Sequence, residues 1–456
     1  MVLFVDCHRY RSAHAYNESN FKHKAHSKLD ILPLPEQHRA IHGICCQVSL
    51  SEMDGMRDDC IVLTRFARDQ PGFLDFSYRI KALAKAYRVT VVSSEPLTEP
   101  ELLADGVEYL VLPHDSGRKG WFKYMLACAR LVRMRRPACV VLLHSLLAPV
   151  VWLTGRIPTA LYWNEHPSRF TAAPPSHPLF KRMARKLALR WLFFEAARRA
   201  SLVMPIGEAH QQDLLAKGCD PQRVKLIYMG VDKTFMKSGP HQSAQPQLPL
   251  RLIYVGTVSK ARGRDLMLEA IKLANREQPI AHLTLVGADE EEIGHCRRYA
   301  GRLGISNAVE VCGRVAGAEI PVILKGADAG LCLWEDQPWW RFNPPTKLFE
   351  YLVAGLPVLA SDIRTHTQYV SHGNNGLIFK YDSFSLGKAI HQLAKRRHEL
   401  PGLKSRARES GRQYLWDRIE PVFLQAIKSL HVARQGGHSS FEDPMHLHDQ
   451  TSSEIR

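Results

Sequence analysis

Asn343-Pro344-Pro345-Thr346-Lys347-Leu348-Phe349-Glu350-Tyr351-Leu352-Val353-Ala354-Gly355-Leu356-Pro357-Val358-Leu359-Ala360-Ser361 is the stretch whose reading decides the fold. A polar, proline-marked loop leads into a short helix. Gly355 ends that helix, Pro357 blocks its continuation, and an apolar strand follows over Pro357–Ala360. Lys347 and Glu350 stand three apart, so they share one helix face near its N-terminus. That end of a helix offers unpaired N–H groups to an anion. A cation and a carboxylate beside it can grip a nucleotide, the carboxylate on ribose hydroxyls and the helix end on phosphate. The same two residues also suit an ion pair on a capped surface helix.

Outward from this stretch, short apolar runs alternate with helical spacing. Downstream the pattern predicts a strand at Gly376–Phe379, a helix at Ser383–Arg397 and one last helix over about 404–430. Upstream it predicts strands at Arg251–Val255, His282–Val286, Val309–Cys312 and Ala329–Leu333, with helices between them. Residues 236–249 are rich in Ser, Gln, Pro and Gly without an apolar period and read as a linker. Before the linker the alternation runs from Ile61-Val62-Leu63 through Leu202–Pro205 and Val224–Ile227, with helices at Leu74–Ala86, about 120–135 and about 178–199. Strand–helix alternation throughout predicts α/β architecture with parallel sheets covered on both faces.

The expected domains are 59–235, a first Rossmann-like unit, and 250–403, a second, with 404–431 packing back toward the first. Residues 1–58 are polar and His-rich without periodicity, and read as a disordered extension, with Met53 or Met56 as an alternative start; 432–456 read as a disordered tail. Two doubly wound units leave a cleft, and ligands of such sheets lie outside the carboxyl ends of the strands.

The chain has 456 residues, 45% hydrophobic and 23% charged, which suffices for two or three cored domains. A formal charge of +16 favours acidic partners. Ten cysteines without a C-x-x-C pair indicate neither a zinc site nor a disulfide framework, and fit a reducing compartment. No secretory signal or membrane span is evident; the longest apolar run, Ala138–Leu153, contains His144 and Pro149. The basic residues lie on expected helices of a Rossmann unit and match no nucleic-acid module, so no nucleic-acid partner is expected. The 178–199 helix combines Lys and Arg with Phe180, Met183, Leu187, Trp191, Phe193 and Phe194. It reads either as a sheet-packing helix or as one lying on an anionic membrane surface.

Candidate site residues follow from position. Gly256-Thr257-Val258-Ser259-Lys260-Ala261-Arg262-Gly263 follows a strand and opens a helix; small residues let the backbone approach a phosphate that Lys260 and Arg262 can neutralise. An exposed basic turn is the plainer reading. His144, and Glu165-His166, sit just past expected strands, where a Rossmann ligand lies or where a histidine simply bonds its neighbours.

These segments, in order, resemble the retaining glycosyltransferases of family 4, which have the GT-B fold of two facing Rossmann-like domains. Ile227-Tyr228-Met229-Gly230-Val231-Asp232 resembles the segment closing the family's first domain. Tyr254-Val255-Gly256 with Arg262-Gly263 resembles its phosphate loop, and Leu285-Val286-Gly287 its next strand end. Lys347-Leu348-Phe349-Glu350-Tyr351 with Ala354-Gly355-Leu356-Pro357-Val358 resembles its donor-binding block, and Gly373-Asn374-Asn375-Gly376 the loop after it. The resemblance implies a nucleotide-sugar substrate bound by Gly256, Thr257, Lys260, Arg262, Gly287, Asn343, Lys347 and Glu350, with Glu350 on the ribose. It further implies His144, His166 and Glu165 on the reacting side, front-face transfer with retention, and neither metal nor other cofactor. The acceptor would be a glycolipid or polysaccharide, met in the cytoplasm or at the inner membrane face. Two positions depart from the family pattern. Phe342 stands where a second glutamate is usual, eight before Glu350, as in a variant subgroup with N-P-x-K-x-x-E-Y, and Thr257 replaces an arginine. A binding scaffold without transfer, or a GT-B epimerase, are the alternatives.

Overall fold

The computed structural model describes residues 57–64, 73–97, 102–113, 117–169, 179–236 and 249–432. The expected N-terminal extension, the interior of the linker, the turn at 68–72 and the tail lie outside the described residues.

In chain order the first half contains β1 (Asp59–Leu63), α1 (Phe73–Ala86), β2 (Arg88–Ser93), β3 (Glu108–Val111), α2 (Gly117–Arg135), β4 (Cys139–Leu142), β5 (Thr159–Trp163), α3 (Leu179–Arg199), β6 (Leu202–Pro205) and α4 (Glu208–Ala216). The second half contains β7 (Leu250–Val255), α5 (Arg264–Ala274), β8 (Ala281–Ala288), α6 (Glu290–Leu303), β9 (Val309–Gly313), α7 (Ile320–Leu324) and β10 (Ala329–Cys332). It continues with α8 (Thr346–Ala354), β11 (Val358–Ser361), α9 (Arg364–Thr367), β12 (Gly376–Phe379), α10 (Ser383–Lys395), α11 (Leu400–Gly411) and α12 (Trp416–Val432).

Two parallel six-stranded sheets result, ordered β3-β2-β1-β4-β5-β6 and β12-β11-β10-β7-β8-β9. The order is the same in both when each is counted from its own first strand. The α/β, two-domain expectation therefore holds. In each sheet the winding reverses between the first and fourth strands, β1 beside β4 and β7 beside β10. The carboxyl ends at such a reversal form an open crevice. Central strands buried along their whole length, such as Val358–Ser361 and Cys139–Leu142, are apolar runs rather than alternating ones, as parallel strands covered on both faces require.

Three differences from the sequence reading have physical causes. Val224–Ile227 is not a strand of the sheet; it follows the edge strand β6 with one bridge, Val224 to Val203, and two backbone bonds, Lys225 N–H to Val203 O (2.9 Å) and Ile227 N–H to Pro205 O (3.0 Å), too few for a ladder. The helix α4 lacks a clear apolar period, with only Ala209, His210 and Leu214 buried, and the pattern gave no sign of it. The last helix is two. Leu415 adopts an extended backbone (ψ 134°), and Val231 N–H donates to Tyr414 O while Trp416 N–H donates to Val231 O. This break carries the chain from the second sheet, where α11 packs on α8, to the first, where α12 packs on α1 and β6.

A single apolar cluster spans both sheets. It joins Val62, Val141 and Met204 to Ile253, Val255 and Val358 through Tyr228, Phe349, Tyr414 and Trp416. A buried ion pair stands beside it. Arg79, fully buried, donates to Asp75 (3.0 Å), and to the carbonyl of Tyr228 (2.9 Å). Asp75 in turn accepts from the N–H of Gly230 (2.9 Å), and a Cβ at Gly230 would lie 2.4 Å from the Trp416 ring. The ion pair thus fixes the segment that leaves the first domain. Removing one member of a buried pair strands the other's charge. Arg79→Met is expected to lower unfolding stability by about 3–5 kcal/mol, read as a lowered urea midpoint.

Candidate functional site

The crevice at the end of β7 and β10 is assembled from four chain segments. After β7 the backbone turns at Gly256 with φ 126°, a value that side chains disfavour. A Cβ there would lie 2.9 Å from Lys347 Nζ, and a Cβ at Gly287, past the next strand, would lie 2.5 Å from the Gly256 carbonyl. The two glycines are what let these strand ends and α8 approach one another. Tyr254 organises the floor: its hydroxyl donates to Thr257 O (3.0 Å), and its ring lies beneath Lys347 Nζ at 3.6 Å. Tyr351, one turn along α8, accepts from Val255 N–H (2.8 Å) and locks the helix to the strand.

Lys347 and Glu350 are both partly buried, and neither carries a hydrogen bond or salt bridge among the described residues. The ion-pair reading of the helix is therefore not what the structure shows. Burial pushes the Lys347 ammonium down to about 7, and burial pushes the Glu350 carboxyl up to about 7, with each partly offset by the other's charge. Helix α8 starts after Pro345 without a side-chain cap and ends at left-handed Gly355.

Arg262 closes the opposite side. Its guanidinium lies over Trp334 (5.0 Å) and Trp340 (5.1 Å) and has no carboxylate partner among the described residues. Trp334 is held by Ser361, whose Oγ accepts from Trp334 N–H (3.0 Å) and donates to Trp334 O (2.9 Å). Thr365 Oγ1 donates to Trp340 O (2.6 Å). Lys260 is exposed on the short turn before Arg262, and Thr257 is exposed beside Gly256.

The first domain brings its own residues to this crevice. His144 is buried, and its Nδ1 accepts from Leu146 N–H (3.0 Å), capping the helical turn Ser145–Trp152. His166 is 2% exposed. Its Nδ1 meets Ser168 Oγ (2.7 Å), its Nε2 meets Asp213 Oδ2 (3.1 Å), and the Phe342 ring stacks on it at 4.0 Å and 9°. Asn343 Oδ1 accepts from His166 N–H (3.2 Å) and its Nδ2 donates to Asn164 O (3.4 Å). His166 and Asn343, expected at the sugar and at the donor, are thus joined to each other across the two domains. A ring with both nitrogens bonded and a face covered is a packing element, and an amide bonded to two backbone groups has little left for a ligand. Phe342, the departure noted in sequence, is the reason: an aromatic at that position covers the histidine. Glu165 Oε1 accepts from Arg169, Oε2 is buried without a partner, and burial raises the carboxyl above the ordinary range.

Trp334, Trp340, Tyr254 and Arg169 were not singled out from sequence. The run Trp339-Trp340 shortly before the deciding stretch was the available signal for Trp340; Arg169 carried none.

Two family models match in tandem. Residues 78–230 match "Glycosyl transferase 4-like domain" and residues 249–396 match "Glycosyl transferases group 1". The chain belongs to the glycosyltransferases of the GT-B fold. The chain is 24% identical over 216 residues to WcaL of Salmonella typhimurium, named for colanic acid biosynthesis, covering 46% of this chain and 52% of that one. It spans about half the length of the curated relatives it matches. Among solved structures it superposes on Anabaena HepE in complex with UDP-glucose (TM-score 0.62, 16% identity, 81% of this chain and 99% of that one). It also superposes on WaaG, a glycosyltransferase involved in lipopolysaccharide biosynthesis (TM-score 0.62, 16% identity, 80% and 98%). At these identities the likeness is one of fold.

The charge state of Lys347 gives a direct check on the crevice. Its ammonium is lost as pH rises through about 7. Inorganic pyrophosphate should therefore bind more tightly below that pH than above it, and Lys347→Met should flatten the difference, as read by calorimetry at constant ionic strength.

Proposed function

We propose that the chain transfers a sugar from a nucleotide-sugar to an acceptor hydroxyl with retention of anomeric configuration. The observation that carries this reading is the convergence of the Gly256 and Gly287 backbone, the Lys347 ammonium and the Arg262 guanidinium at one strand-end crevice, with Glu350 one turn further along α8. Cations and close backbone suit a diphosphate, and a carboxylate suits the ribose hydroxyls. The departing diphosphate gathers negative charge as its bond to the sugar breaks, and Lys347 and Arg262 face that charge. The acceptor's proton goes to the departing phosphate oxygen, so no carboxylate nucleophile is needed. Neither a metal nor another cofactor enters this scheme. The structural neighbour HepE, in complex with UDP-glucose, makes a uridine donor the first to try.

The acceptor in this reading is a glycolipid or polysaccharide at a membrane face. Support comes from α3. It buries Phe193 and Phe194 but leaves Phe180, Met183, Leu187 and Trp191 at 68%, 57%, 64% and 61% exposure, spaced three, four and four along one stripe. Exposed Lys186 and partly exposed Arg185 and Arg190 flank the stripe. An apolar ridge edged by cations suits an anionic bilayer surface. No helix among the described residues is long and apolar enough to cross a membrane.

A thermal-shift screen of sugar nucleotides tests the donor. Glu350→Gln should weaken binding of the selected donor by about 1.5–3 kcal/mol, the worth of a charge-assisted hydrogen bond; unchanged affinity by calorimetry would remove Glu350 from the site. The product's anomeric configuration by NMR tests retention. Phe342 in place of the usual glutamate favours one second reading, a nucleotide-sugar-binding scaffold; binding without turnover in acceptor extracts would establish it. For the membrane, flotation with anionic vesicles and its loss in Trp191→Ser are expected. Equal absence of binding to anionic and neutral vesicles would defeat that part.

A further inference from the structure

Two guanidinium groups and one carboxylate meet across the crevice, and only part of their bonding is used. Glu165 follows β5 closely, at the carboxyl end of the first sheet, and Arg169 ends the helical turn Pro167–Arg169 just after it. Arg169 donates to Glu165 Oε1 and is 46% exposed. The second carboxylate oxygen, Oε2, is buried and has no hydrogen-bond partner. Arg262, from the second domain, lies within electrostatic reach of both Arg169 and Glu165, yet is bonded to neither among the described residues. Its planar group instead rests on the Trp334 and Trp340 rings. A buried carboxylate oxygen without a donor is unfavourable, and so is a desolvated guanidinium near a second guanidinium. Glu165 partly offsets the repulsion between the two arginines. An anion entering between them would replace it.

We propose that Arg169 is a phosphate-binding residue supplied by the first domain, which leaves Glu165 and pairs with the outer phosphate of a bound nucleoside diphosphate, opposite Arg262. Glu165 holds the arginine in place while the crevice is empty. The proposal rests on the donor reading above and adds a trans-domain contact to it. In the transfer, the bond between the sugar carbon and the outer phosphate oxygen breaks and its electron pair stays on that oxygen. The acceptor oxygen bonds to the sugar carbon, and its proton passes to the phosphate. Arg169 and Arg262 then flank the group on which charge has developed, one from each sheet. Because the two cations come from different domains, the diphosphate ties the domains together and a monophosphate does not.

Calorimetry on the full chain tests this with UDP, GDP and ADP and the corresponding monophosphates. Arg169→Gln should weaken the diphosphate that wild type binds best by about tenfold or more, the usual consequence of losing a charge-assisted contact. The monophosphate of the same base should be little changed, and Arg169→Lys should restore part of the loss. Glu165→Gln should act in the opposite direction and tighten diphosphate binding, because it frees the arginine; a purely structural Glu165–Arg169 pair would weaken binding in both variants alike. Wild-type binding of a diphosphate with no change in Arg169→Gln, or an equal loss for the monophosphate, overturns the role of Arg169 and leaves the donor reading standing. Failure of wild type to bind any of the three diphosphates overturns the donor reading, and this proposal with it.

Discussion

The docking of Phe342 and Asn343 onto residues 164–166 is the constraint on which the site depends. The Phe342 ring lies flat on His166, and the Asn343 amide bonds to the backbone of Asn164 and His166. These residues lie directly before α8, so the helix bearing Lys347 and Glu350 is referenced to the first domain as well as to its own sheet. The histidine is itself fixed by Asp213 and Ser168. A stacked pair of planar rings tolerates little rotation, and two hydrogen bonds to peptide groups tolerate little translation. The loop therefore has one position.

Other contacts share the task. Tyr369, from the second domain, donates to Glu208 (2.6 Å) on the first. The same carboxylate accepts from Tyr228, which packs against Phe349 and Tyr414. The chain crosses back at Leu415, where Val231 pairs with residues 414 and 416. Apolar packing supplies the cohesion between the sheets, and the polar contacts choose the register. A crevice lined from both sides needs this, because misplacing a cation by an ångström weakens its grip on a charged ligand.

Inside the crevice the groups are unpaired by design of the packing rather than by chance exposure. Lys347 sits on an aromatic ring instead of a carboxylate, and Arg262 sits on two. Aromatic faces hold a cation in place without neutralising it. Such cations can meet an incoming anion directly, whereas an ion pair would first have to break. Glu165 and Arg169 are the exception, a pair with one oxygen left over.

The sequence by itself determined the strands, most helices and the two-fold repetition of the winding. It could do so because parallel strands buried on both faces are continuous apolar runs, and because Gly355, Gly373 and Gly263 mark turns with left-handed backbone. It also determined which residue types the crevice would hold: Gly256, Gly287, Lys347, Glu350 and Arg262 are local to strand ends and a helix start, and topology alone places those together. Tertiary structure alone decided what each residue does there. His166 and Asn343 look like ligand groups until their partners, 177 residues apart in the chain, are seen to be each other. Helix α4 and the break at Leu415 escaped the pattern because their form follows from contacts with the other domain, not from local spacing. Burial likewise set the charge balance of Lys347 and Glu350: their spacing in sequence suited a nucleotide grip or an ion pair alike, and only the packed crevice moves the ammonium and the carboxyl from their ordinary ranges.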